Sequence, residues 1–125
     1  MERICIGHGA DTTDVEYLES LLKSGVYLSM DRYPGVEGRP DWRQRNASVK
    51  ALIDRGWAHR LMLGHDYAPA PVSARHRGDR SQAGTTGYLF LSTVALPALR
   101  ADGVSSETID LMMREVPRRF LTGAE

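Results

Sequence analysis

The sequence predicts an α/β fold in which helices connect parallel strands. Two observations support this prediction. Three short apolar stretches, at about 3–7, 26–30 and 60–64, have the length and composition of buried strands. Each is followed by a longer segment whose apolar residues recur at helical spacing. A helical connection returns the chain to the starting edge of a sheet, so successive strands are expected to run in the same direction.

The first unit consists of the strand at about 3–7 and a helix at about 13–24. Thr13, with Glu16 three residues later, is predicted to cap the amino end of this helix. Gly25 is predicted to stop it. The residues expected on its buried face are Val15, Leu18, Leu21 and Leu22.

The second unit repeats this pattern with the strand at about 26–30 and a helix at about 41–55. A loop rich in proline and glycine joins the two elements, and Gly56 is expected to end the helix. The apolar stripe of this helix is expected to be Val49, Leu52 and Ile53.

The third unit begins with the strand at about 60–64 and continues into a long basic loop over 68–86. Loops of this length are uncommon unless they are functional or disordered. Its basic cluster is expected to be solvated: Arg75, His76, Arg77 and Arg80.

Helical spacing resumes at about 87–101, where Pro97 predicts a kink. A last helix follows, with Ser105 or Ser106 as its cap. The residues expected to be buried on these two helices are Leu91, Val94, Ala95, Ala98, Leu99, Ile109, Met112, Met113 and Val116.

Composition limits the classes of partner. The 125 residues are enough for one domain, and 16 basic and 16 acidic side chains give no net charge to attract nucleic acid or an anionic membrane. No apolar run approaches the roughly 20 residues of a membrane span, and the first residues lack the apolar core of a signal peptide. We therefore expect a single cytoplasmic domain over 1–125 without nucleic-acid or membrane partners. The one cysteine, Cys5, is expected to be a small buried residue of the first strand.

Polar side chains follow each predicted strand at the point where the strand ends. His8 follows the first strand, Asp31 and Arg32 follow the second, and Asp66 follows the third. The carboxyl ends of parallel strands lie at one edge of the sheet, where ligands and catalytic groups gather in such folds. Histidine and carboxylate are ligand types that zinc and similar divalent metals prefer. The sequence therefore indicates a candidate metal site at this edge.

Each of these residues also has an ordinary structural interpretation. A histidine at the end of a strand is often a solvated or capping residue, and Asp11 and Asp66 are of a type common in turns. Alternation along the strand directs His65 away from Asp66, so we expect it to pack or to support its neighbours. Position alone leaves both interpretations open.

Five short motifs resemble the phosphotriesterase family of the amidohydrolase superfamily, and in particular its lactonase branch. They occur in the family's order and spacing and extend over nearly the whole chain. The motifs are Ile4–His8 (ICIGH), Asp11–Thr12, Tyr27–Tyr33 (YLSMDRY), Leu61–Tyr67 (LMLGHDY) and Pro117–Leu121 (PRRFL).

This resemblance implies a (β/α)₈ TIM barrel, of which the chain would supply the last three βα units as an incomplete barrel. It implies a binuclear divalent metal centre, with zinc as the expected metal. His8 would bind one metal, and Asp66 would bind the other and act in catalysis. Asp11 would carry a proton away, while Arg32 and Tyr67 would line the substrate pocket. The expected substrate is a small lactone, ester or organophosphate.

The same resemblance implies that other ligands lie outside this sequence. A complete barrel needs about 250 residues, and the sequence contains no His-x-His pair to match the family's first metal-binding segment. Three interpretations follow. In the first, the chain is the carboxyl-terminal part of a metal-dependent hydrolase, inactive alone and in need of an amino-terminal half. In the second, it is a non-catalytic α/β binding module. In the third, copies of the chain associate into a homo-oligomer that closes a barrel-like sheet.

Overall fold

Three parallel strands form one sheet in the order β1 (Cys5–Ile6), β2 (Tyr27–Met30) and β3 (Leu61–Leu63). The structure is a computed structural model and describes residues 3–67 and 87–123. Ile6 pairs with Leu28, which also pairs with Leu61 on the other side. The predicted parallel α/β arrangement is confirmed, with strands shorter than predicted. The predicted loop over 68–86, including its basic cluster, lies outside the described residues.

Helix α1 (Val15–Lys23) follows β1 after a 3-10 turn at Gly9–Asp11. The predicted cap at Thr13 is wrong, because Asp14 caps the helix and its carboxylate accepts a hydrogen bond from the Tyr17 N–H. The negative charge of Asp14 also complements the positive end of the helix dipole. The cap therefore lies one residue later than predicted.

Helix α2 (Trp42–Asp54) follows β2 and begins with a capping box. The Asp41 carboxylate accepts from the Gln44 N–H, and the Gln44 side chain accepts from the Asp41 N–H, both at 2.9 Å. These two bonds satisfy N–H groups that have no partner within the helix. They define where α2 starts and therefore which of its side chains face the sheet.

The carboxyl-terminal helices each contain a wide turn immediately before a proline-bearing segment. A π-helical turn at Leu91–Ala95 precedes α3 (Leu96–Ala101). Helix α4 (Ser106–Asp110) is capped by Ser105. It leads into a second π-helical turn at Leu111–Glu115, which precedes α5 (Val116–Thr122). Pro97 and Pro117 stand second in their segments. A proline has no N–H and crowds the carbonyl four residues earlier, and a wider turn relieves this crowding. At the position of the kink predicted for Pro97, the structure has such a π-helical turn directly before the proline-bearing segment.

The hydrophobic core joins the sheet to helices from every unit. A short 3-10 turn at Gly87–Leu89 leads into the π-helical turn at Leu91–Ala95. Fully buried core residues include Leu18, Leu22, Leu28, Met30, Val49, Leu52, Leu61, Phe90, Leu99 and Met112. Within residues 3–67 and 87–123, no helix has the length and apolar character required to span a membrane.

Tyr33 belongs to a buried polar chain that connects the loop after β2 to the carboxyl-terminal helices. Its hydroxyl donates to Asn46 Oδ1 at 2.8 Å, and Asn46 Nδ2 donates to the Ala95 carbonyl at 3.0 Å. Burial raises the pKa of the Tyr33 hydroxyl, which therefore remains a neutral donor.

We expect Tyr33→Phe to lower the free energy of unfolding by about 1–2 kcal/mol, because it leaves a buried amide oxygen without its donor. Urea denaturation measures the change. Tyr17→Phe is the matched control, since Tyr17 is 53% exposed. Equal stability of the Tyr33 and Tyr17 variants would contradict the role of this hydrogen bond.

Candidate functional site

The polar residues that follow the three strands meet at one edge of the sheet, as predicted. The guanidinium of Arg32 lies at their centre. It donates from Nη1 to Asp11 Oδ2 at 2.7 Å, and its Nε lies 3.3 Å from Asp66 Oδ2. Its Nη2 lies 3.0 Å from His8 Nε2. One side chain of the second unit therefore connects polar groups from the first and third units.

The backbone at this edge is held in an unusual conformation. His8, Arg32 and Asp66 have φ values of 61°, 64° and 48°, and they are the non-glycine residues with positive φ in the described part of the chain. Side chains other than glycine enter this left-handed region at a cost of about 1–3 kcal/mol, and such residues cluster at functional sites. One of them follows each strand, which marks this edge as the candidate site.

Asp31 orients the imidazole of His8. Its Oδ1 lies 2.9 Å from His8 Nδ1, while its Oδ2 accepts from the Ser29 hydroxyl at 2.9 Å and from the His8 N–H at 3.3 Å. Since a guanidinium can only donate, the Arg32 contact requires a lone pair on His8 Nε2. The ring proton is therefore assigned to Nδ1. This carboxylate–histidine arrangement is the one that supports metal-binding histidines in proteins.

Asp11 lies between two guanidinium groups. Its Oδ2 accepts from Arg32, and its Oδ1 accepts from Arg45 Nη1 at 3.0 Å. Arg45 extends from α2 and is fully buried, whereas the Arg32 side chain is partly exposed at the edge. Asp11 therefore connects the interior of the fold to the candidate site.

Tyr67 follows Asp66 and belongs to a small aromatic group. Its ring packs edge-on against Tyr88 with ring centres 4.8 Å apart, and its N–H donates to His65 Nδ1 at 3.0 Å. His65 also packs edge-on against Tyr88, in agreement with the packing role predicted for it. A side chain at Gly87 would overlap the Tyr67 ring, so the glycine allows this close approach.

The donor atoms at the site fit part of a metal centre. His8 Nε2 and Asp66 Oδ2 are donor types that zinc accepts. Both contact the Arg32 guanidinium, whose positive charge therefore lies beside the two donor atoms. Residues 3–67 and 87–123 contain no cluster of three or more histidine, cysteine, aspartate or glutamate side chains able to hold a metal. A bound metal would therefore need further ligands beyond those two.

Three contributors to the site were missed as site residues by sequence reasoning. The sequence places Asp31 at this edge without indicating a function for it, and it gives no site role to Ser29 or Arg45. Arg45 could have been found from its spacing, because it lies four residues before Val49 and seven before Leu52 on the buried face of α2. A charged residue at such a position needs a partner, which here is Asp11.

Cys5 is half-buried in β1, close to its predicted environment. Burial and the nearby negative charge of Asp31 raise the pKa of its thiol. A protonated thiol is a weak nucleophile. Cys5 is therefore a packing residue of the strand beneath the site.

Polar side chains at the carboxyl ends of parallel strands mark the edge at which ligands and catalytic groups gather in α/β folds. The profile of the phosphotriesterase family matches residues 1–121. The chain belongs to the phosphotriesterase family.

Individual relatives agree with this assignment. A phosphotriesterase homology protein of Mycobacterium tuberculosis is 34% identical over 131 residues, which cover 96% of this chain and 36% of the relative. An aryldialkylphosphatase of Saccharolobus solfataricus is 26% identical, covering 96% of this chain and 38% of that protein.

A solved PTE-like lactonase mutant from Deinococcus radiodurans superposes with a TM-score of 0.77 at 29% identity and covers 94% of this chain and 38% of its own. The chain thus matches the carboxyl-terminal part of phosphotriesterase TIM barrels. It spans little more than a third of the length of these relatives.

Proposed function

We propose that this chain is the carboxyl-terminal part of a metal-dependent hydrolase that cleaves lactones, esters or organophosphates. Family membership supports the class of reaction. The observation that carries the proposal is the single guanidinium that joins His8 Nε2, Asp11 and Asp66 at the carboxyl ends of three strands. These are the groups that a hydrolytic site needs at one place: metal donors, a proton carrier and a cation for the substrate.

In the proposed site, His8 Nε2 and Asp66 would hold divalent metal, with zinc as the expected ion, together with ligands from the remaining part of the barrel. The bound metal would supply Lewis acidity that activates water and polarises the scissile carbonyl or phosphoryl group. Asp31 keeps the His8 lone pair directed to the site by holding the proton on Nδ1.

The proposed proton path runs from Asp66 towards Asp11. Arg32 lies between the two carboxylates and cannot accept a proton itself. Proton movement therefore requires the Arg32 guanidinium to give up its contact with Asp66, which it would do by turning to the leaving oxygen of the substrate while Nη1 stays on Asp11. Tyr67 would line the pocket beside Asp66. The same arginine would thus orient substrate and open the proton path.

We expect the isolated chain to show no lactone or phosphotriester turnover with zinc present, because its described residues offer two metal donors at the site. Chromogenic lactone and paraoxon-type esters are suitable substrates for the assay. Hydrolysis by the pure chain that is abolished both by a chelator and by Asp66→Ala would contradict this expectation.

The proposal is tested by completing the barrel. The chain is fused behind the amino-terminal part of the Mycobacterium tuberculosis relative that it does not cover; we call this fusion the completed protein. We expect it to bind two metals and to hydrolyse a lactone, since a site built from both parts couples metal binding to assembly. A folded completed protein that binds metal but cleaves neither substrate would favour a non-catalytic binding module.

A further inference from the structure

Arg45 is a fully buried cation on α2 that the proposed mechanism does not use. Arginine is almost never fully buried unless it is paired. Its Nη1 donates to Asp11 Oδ1 at 3.0 Å and to the Asp31 carbonyl at 2.9 Å, and its Nε donates to the Pro40 carbonyl at 2.9 Å. One guanidinium therefore ties together the loops that follow β1 and β2 and the loop that precedes α2.

Two of these contacts lead directly to Arg32. Asp11 divides its two oxygens between Arg45 and Arg32, so a change in its position moves the anchor of the Arg32 side chain. Asp31, whose carbonyl accepts from Arg45, is the residue immediately before Arg32, where the chain enters positive φ. Arg45 thus acts on the Arg32 side chain through Asp11 and on its backbone through Asp31.

We infer that Arg45 is a positioning residue that holds the Arg32 guanidinium over the candidate site. A long side chain such as Arg32 loses rotamer freedom when it is fixed, and the rigid Asp11 carboxylate offsets that cost. The planar fork of Arg45 reaches acceptors from three segments, which the single ammonium of a lysine cannot do. The position of the Arg32 guanidinium is a property of this chain, whereas the effect of that position on catalysis rests on the proposed function.

A purely structural role makes a different prediction. If Arg45 only stabilised the fold, its loss would lower stability and leave the contacts of Arg32 unchanged. The two roles are therefore separated by observing Arg32 and His8 directly, in variants with comparable loss of stability.

The test uses the ¹⁵N-labelled full chain without metal. In the wild type we expect a dispersed Arg32 Nε–Hε signal and an upfield-shifted His8 Nε2 nitrogen, because Arg32 donates to it. In Arg45→Met, the Arg32 signal should move to the position of the exposed Arg100, and the His8 Nε2 signal should shift with it. Leu52→Ala is the control, since Leu52 is buried on the same helix and its apolar side chain cannot form hydrogen bonds.

Unchanged Arg32 and His8 signals in a folded Arg45→Met protein would overturn the inference. Arg45→Lys retains the buried charge and serves as the second variant; we expect the same direction of shift. The wild type supplies an independent check, because Arg45 should show resolved Nη1 protons that exchange slowly with water. Rapidly averaged Arg45 protons would overturn the inference even if neither variant folded.

The catalytic consequence is measured in the completed protein. Arg45→Lys should lower kcat/KM by about 10- to 100-fold, mainly through KM, with metal content unchanged, since small misplacement of an orienting group costs this much. If the wild-type completed protein has no turnover, the proposed function fails, but the signals of the isolated chain still decide the position of Arg32. Shifted signals with an unchanged kcat/KM would overturn the catalytic part alone.

Discussion

Replacing His8 with alanine in the completed protein should remove one of the two metals and abolish lactone hydrolysis. Within residues 3–67 and 87–123, His8 Nε2 is the imidazole nitrogen that contacts Arg32 at the site, and the Asp31 carboxylate beside Nδ1 fixes its tautomer. The loss of a metal ligand and of the Lewis acidity it supports should lower kcat by at least about 10³-fold, comparable to removing a principal electrostatic stabiliser. Metal analysis by mass spectrometry and a lactone assay on the same sample measure both effects.

Arg32→Ala is the matched comparison. Arg32 touches the same imidazole but is not a metal donor, so this variant should keep both metals and lose mainly substrate affinity. Circular dichroism of both variants excludes unfolding as the cause. A His8→Ala protein that retains two metals and the wild-type rate would refute the assignment of His8 as a ligand.

The sequence was sufficient to predict the parallel sheet and the edge at which polar residues collect. Short apolar strands and glycine stops are local signals, and the rule that helical connections give parallel strands converts them into a topology. The length of a strand was less predictable, as the two-residue β1 shows. Apolar character over 3–7 does not indicate how many of those residues form hydrogen bonds with the neighbouring strand. The cap at Asp14 shows another limit of prediction from sequence, since Thr12, Thr13 and Asp14 are all good capping types.

The polar interior of the site was less predictable, because its contacts join residues far apart in the sequence. Arg45 lies 34 residues from Asp11, and its burial follows from the rotation of α2, which the capping box at Asp41 defines. Asp31 was visible as a residue at the end of a strand, but its bond to His8 depends on the register between β1 and β2. Spacing within one element was informative, whereas pairing between elements required the structure.

The buried ion pair between Asp11 and Arg45 should be the polar contact whose disruption costs most. Asp11→Ala leaves a fully buried guanidinium without its counter-charge, and we expect a loss of about 3–5 kcal/mol in the free energy of unfolding. In an Arg45→Met background the same change should cost less than about 1 kcal/mol, since no buried charge remains to be compensated. Urea denaturation of the wild type, both single variants and the double variant measures this coupling.

Asp54→Ala provides the control for this cycle, because Asp54 pairs with Lys50 at the exposed surface of the same helix that carries Arg45. Asp54→Ala should lower the free energy of unfolding by about 0.5 kcal/mol or less. In the double variant, this loss should simply add to the loss caused by Arg45→Met. If Asp11→Ala costs no more than Asp54→Ala, then Asp11 is not what compensates the buried charge. The connection from α2 through Asp11 to Arg32 would then lose its physical basis, because a carboxylate that is weakly held by Arg45 cannot fix the guanidinium on its other side.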